Sequence, residues 1–121
     1  MRGTQTVKAL AGLRIAIGVA SWATPRLAGR VFGLDAEGNP QAPYLARLFG
    51  VRDVALGWGA LSSEGDTRRQ WLLAGIACDI ADAFAGVAGG RRGYLPRLTS
   101  GLVTGTAISA AALGGAALNG K

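Results

Sequence analysis

Residues 98–120 read LTSGLVTGTAISAAALGGAALNG, 23 positions without a charged side chain. At about 1.5 Å per residue, a helix of that length exceeds the roughly 30 Å hydrocarbon core of a bilayer. The stretch predicts a membrane-spanning helix from about Leu98 to Leu118. Three weaker apolar runs precede it. The first runs from about Thr6 to Thr24, is interrupted by Lys8 and Arg14, and is stopped by Pro25. The second runs from about Tyr44 to Leu61, after a loop holding Pro40 and Pro43. The third runs from about Gln70 to Gly89, where Gly89-Gly90 and Arg91-Arg92 end it.

The fold class expected from this pattern is all-α, a four-transmembrane-helix bundle with helices at about 6–24, 44–61, 70–89 and 98–118. Residues 1–121 would form a single integral membrane domain, a multi-pass protein of the cell membrane. Composition agrees: half the residues are apolar, 17% are charged, and mean hydropathy is +0.29. Gly occurs 20 times. Each interior Gly costs a water-exposed helix about 1 kcal/mol relative to Ala. In lipid, small residues let helix backbones approach closely, and that contact holds membrane helices together.

The net charge of +6 raises the question of nucleic acid. The cations fall in short clusters between apolar runs, as in loops flanking membrane spans. A nucleic-acid binder gathers them on one face with stacking aromatics, so no nucleic-acid partner is expected. The chain has one cysteine, Cys78, and no His. That excludes an internal disulfide, a Cys/His zinc site and a Ser-His-Asp triad. Cys78, inside an apolar run, reads as a small packing residue. Arg14 breaks the first apolar stretch, and no cleavage context precedes Pro25, so a cleaved signal peptide is not expected. No G-x-x-x-x-G-K-[ST] loop is present. Neither a cofactor nor a metal is implied.

If the spans alternate in direction, Trp22, Tyr44 and Tyr94 fall near one membrane surface. Trp71 falls near the other, with Trp58 leaning towards it. Aromatic rings with one polar atom favour that headgroup level. Lys and Arg give no orientation. Arg2, Lys8, Arg68, Arg69 and Lys121 lie on one side, and Arg26, Arg30, Arg91, Arg92 and Arg97 on the other. The tripeptide Pro25-Arg26-Leu27 recurs as Pro96-Arg97-Leu98, too short a match to establish duplication.

The informative residues are Arg14, Arg52, Asp53, Asp79 and Asp82. An ionised side chain in hydrocarbon costs several kcal/mol, about 3 by insertion scales, so five of them demand mutual pairing. Counted from the helix starts, Arg14 and Asp79 lie about 12 and 13 Å from one surface. Arg52 and Asp82 both lie near 18 Å from it. Matching depths pair Arg14 with Asp79 and Arg52 with Asp82. Asp53 points about 100° from Arg52 and faces another neighbour. With two cations and three carboxylates, one carboxylate is spare unless Arg47 reaches inward.

Two readings of this intramembrane charge cluster compete. It is interhelical glue, or it binds a proton, cation or polar headgroup. In the fourth helix, Gly101, Gly105 and Ser109 form a small-residue helix-packing face suited to a second copy or a larger subunit. Asp79-x-x-Asp82 shares its spacing with acidic motifs of membrane prenyltransferases, which need a second acidic cluster and a longer bundle.

The run Arg47–Gly59 (RLFGVRDVALGWG), with Val31-Phe32-Gly33-Leu34-Asp35 after the first helix, resembles a group of small bacterial integral membrane proteins of unknown function. The most specific part is Phe49–Asp53. The resemblance implies a four-helix membrane topology and no activity. Small multidrug-resistance transporters are similar in size only, since their essential membrane Glu has no counterpart here. The function expected is therefore a non-catalytic structural or accessory membrane component that packs in the bilayer against itself, as a homo-oligomer, or against a larger membrane complex. The alternative is a small transporter or membrane enzyme using the Asp cluster.

Overall fold

Charge-free or nearly charge-free runs rich in Ala, Leu and Gly become helices wherever they exceed five turns, and breaks come at Pro, Gly and short polar pairs. A computed structural model describes residues 2–34, 38–39, 41–93 and 95–119, without the side chains of residues 2 and 3. The order is α1 (Arg2–Ala23), α2 (Pro25–Val31), α3 (Ala42–Ser62), α4 (Gly65–Arg92) and α5 (Arg97–Asn119). Of the aromatics expected at the membrane surface, Tyr94 lies outside the described residues, as do Asp35, Pro40 and Lys121.

Five helices correct the expected four-transmembrane-helix bundle. The added element, α2, begins at the residue read as a stop. Proline ends a helix only from its interior. At the first helical position its missing N–H costs nothing and its fixed φ suits the turn. Thr24 makes the junction. Its N–H and hydroxyl both donate to the Ala20 carbonyl, 2.8 and 2.7 Å, closing α1. Its own carbonyl accepts from Ala28 N–H at 3.0 Å, opening α2. Pro96 likewise stands immediately before α5, its carbonyl accepting from Ser100 at 2.9 Å.

A second correction concerns the spans. Among the described residues, three helices are long and apolar enough to cross a membrane: α1 from Thr4 to Ala23, α4 and α5. The run expected at 44–61 forms α3, but Arg47, Arg52 and Asp53 sit near its middle, too many charges for it to qualify. The helix expected at 70–89 is also longer at both ends, Gly65 to Arg92. Gly89-Gly90 does not stop it. The terminator is Gly93, at φ +84°, whose N–H caps the Gly89 carbonyl at 3.1 Å.

The four long helices neighbour one another in a cycle, α1 to α3 to α4 to α5 and back to α1, so α1 and α4 face each other diagonally. The closest seam joins α1 to α3. A Cβ added at Gly18 would lie 2.5 Å from the Gly50 carbonyl oxygen, and one at Gly50 equally close to that of Gly18. Seven residues along each helix, Gly57 meets the Ala11 carbonyl in the same way, at 2.8 Å. Backbone contact of this kind admits nothing larger than glycine. The α4–α5 seam repeats the device with hydroxyls: Ser100 donates to the Gly86 carbonyl at 2.8 Å. At the end where α1 begins, Val7, Leu10, Ala60, Leu72 and Ala117 form an apolar cluster. At the opposite end Gly33 abuts Thr99, which is fully buried, so the segment after α2 closes over the start of α5.

Candidate functional site

Arg14 sits mid-way along α1, and its side chain crosses the interior to α4. Nη1 and Nη2 donate to Oδ1 and Oδ2 of Asp79 at 3.1 and 2.6 Å. Two parallel bonds between planar groups form the strongest geometry available to this pair. Gly75, one turn before Asp79, makes the crossing possible, because a Cβ there would stand 2.9 Å from Nη2. Asp53 on α3 completes the group. Its Oδ1 lies 3.7 Å from Arg14 Nη1, an ion-pair distance too long for a hydrogen bond. All three side chains are almost wholly buried. One cation thus ties α3 and the diagonal pair α1 and α4 together.

The second pair lies between α3 and α4. Arg52 donates through Nη1 and Nη2 to both oxygens of Asp82 at 3.1 and 2.6 Å. Its guanidinium also stacks on the Phe49 ring, 4.9 Å from the centroid. Unlike the first pair, this one is open: 33% of the Arg52 side chain and 29% of Asp82 are exposed. The two pairs are those that matching depth predicts, and Asp53 turns from Arg52 towards α1 as its 100° offset requires.

Arg47 does not reach inward as a third cation. It lies towards the start of α3, donating through Nε to the Trp22 carbonyl at 3.0 Å and stacking 5.2 Å over the Trp22 ring. Trp22 and Tyr44 are exposed at that end. Trp71 packs on Gly59, beside the exposed Trp58, near the other end. Gly101 and Gly105 face outward with open space around them, and Ser109 donates to the Gly105 carbonyl at 2.8 Å. Among the described residues nothing lies within 4 Å of where a Cβ would stand at Gly101 or Gly105. Cys78 is half-buried.

Sequence reasoning missed the glycines that make the site possible. Gly18, Gly50, Gly57 and Gly75 were hidden among many others. The available signal was spacing: Ala11 and Gly18, like Gly50 and Gly57, are seven apart and share a helix face.

A cavity of about 10 Å³ adjoins Arg14, walled mainly by Val7, Leu10, Leu56, Trp71 and Leu72. It has room for one water at most. Among the described residues, buried side-chain atoms without a hydrogen-bond partner are Asp53 Oδ1, Arg52 Nε, and Oγ1 of Thr99 and Thr104. Among the described residues no group of three His, Cys, Asp or Glu side chains is placed to hold a metal ion. No family model, curated protein or solved structure matches the chain.

Proposed function

We propose that the protein is a multi-pass component of the cell membrane, crossing through α1, α4 and α5, with a structural or accessory rather than catalytic role. The observation that carries this reading is the Arg14–Asp79 pair. A side chain that costs several kcal/mol to place in hydrocarbon is matched bidentately with a carboxylate on the helix diagonal to α1. Such a pair adds little net stability over an apolar replacement, yet removing one partner strands the other at about 3–5 kcal/mol. Its effect is to make one helix arrangement far better than its alternatives. The outward Gly101-Gly105-Ser109 face leaves α5 free for association with a larger subunit in the bilayer.

Fractionation tests the first half: the protein should stay with membranes until detergent is added, and recovery in the aqueous phase would refute it. Asp79→Asn tests the second. Loss of folded, detergent-extractable protein is the expected result, with partial recovery in Arg14→Met/Asp79→Leu.

One observation favours a second reading, a small transporter or membrane enzyme. Asp53 keeps Oδ1 without a hydrogen-bond donor beside a cation already engaged by Asp79. An unsatisfied buried carboxylate oxygen suits a proton or a small cation. Asp53→Asn that folds normally but abolishes proton-coupled uptake or turnover in proteoliposomes would establish this reading over the first.

A further inference from the structure

The two ion pairs are solved differently, and the difference marks a surface. Around Arg14 the protein excludes water almost wholly. Around Arg52 it does not: about a third of each partner is bare, part-way along α3 and along α4, itself one of the three membrane-competent helices. Lipid chains offer nothing to a bare guanidinium or carboxylate, so a pair left half-open at that depth needs a polar cover. Moreover α3 is the long helix least fitted to lipid, and it approaches α4 far less closely than it approaches α1. The seam between α3 and α4 is therefore the least finished surface of the molecule.

We propose that a second copy of this chain covers the α3–α4 seam, with the two Arg52–Asp82 pairs facing each other across a two-fold axis. The claim rests on the membrane reading above. Charge chooses the occupant. The patch holds one cation and one anion side by side, so it is complementary to itself: each copy presents Asp82 to the other's Arg52 and the reverse, as an isologous interface requires. A phosphate headgroup would answer the arginine and repel the aspartate. Shape agrees. Leu48, Arg52 and Ala55 share one face of α3, while Cys78, Asp82 and Ala85 share one face of α4, by i, i+4, i+7 spacing. Leu48 is half exposed and Ala85 is exposed. A bulky ridge on α3 thus lies beside a small-residue wall on α4, and a two-fold sets each ridge on the partner's wall.

The test uses two differently tagged chains, both carrying Cys78→Ser, one with Leu48→Cys and the other with Ala85→Cys. Co-expressed and oxidised in native membranes, they should form a mixed covalent dimer. Chains carrying Ile108→Cys, on the outer face of α5, should not cross-link. These substitutions leave both ion pairs in place, so the result does not depend on a destabilised variant. Energy transfer between labelled chains in liposomes provides the second readout, in which Asp82→Asn weakens dimerisation about tenfold. The proposal is overturned by membrane-bound protein that stays monomeric, that cross-links only through Ile108→Cys, or that cross-links through Leu48→Cys to other proteins alone. Protein found in the aqueous phase would instead remove the membrane reading on which it stands.

Discussion

At the scale of single residues, glycine decides more than charge does. Gly18 and Gly12 occupy the same helix, yet a Cβ at Gly18 meets the Gly50 carbonyl and Val54, while one at Gly12 meets nothing within 4 Å. Backbone cannot yield as a side-chain tip can. Gly18→Ala must therefore push α1 off α3 and should cost about 1–3 kcal/mol, the usual range for overpacking. Gly12→Ala should be neutral or stabilising by up to about 1 kcal/mol, from helix propensity. Thermal unfolding in one detergent measures both, and equal effects would count against the seam. Gly75 belongs to the same argument. Its missing Cβ is the space through which Arg14 reaches Asp79, so the ion pair depends on a residue that carries no charge.

At the scale of elements, α2 is the instructive case. It is two turns long, starts at a proline, and its continuation is fixed where Gly33, at φ +79°, abuts the buried Thr99. Gly33→Ala suffers twice, from left-handed backbone and from a Cβ 2.6 Å from Thr99 Oγ1. Faster amide exchange confined to α2 and the first turn of α5 is the expected result; unchanged protection there would show that this closure contributes nothing. The four long helices were legible in the sequence because apolar runs of that length have few other outcomes. Their ends were less so: α4 passes straight through Gly89-Gly90, since glycine breaks a helix only where φ turns positive, as at Gly93. The pairs Arg14–Asp79 and Arg52–Asp82 were legible because charges on packed apolar helices must meet partners at matching depth. What depth could not convey was lateral position, so it did not distinguish the sealed pair from the open one, nor place Asp53 against Arg14.

At the scale of the whole molecule, Arg47 changes the orientation argument. Its bond to the Trp22 carbonyl assigns it to the end that also holds Arg26, Arg30, Arg91, Arg92 and Arg97, all exposed. By the positive-inside tendency that end should face the cytoplasm. A cysteine replacing Ser63, at the opposite end, should react with an impermeant maleimide in intact cells, whereas one replacing Arg92 should react only after lysis. The reverse pattern would invert the molecule. Arg14 and Asp79 are 65 residues apart in the chain, on diagonal helices whose ion-paired contact runs through that bond. On the membrane reading proposed above, α1 enters the bilayer during synthesis long before its counter-ion leaves the ribosome. The arginine must wait at the insertion machinery, or in the interfacial layer, until α4 arrives. A nascent chain arrested before Asp79 should hold α1 only loosely, extractable at alkaline pH, and one arrested after α4 has emerged should hold it firmly. The same bond that fixes the finished arrangement thus sets the order of assembly, and gives cellular quality control a means of recognising unfinished copies.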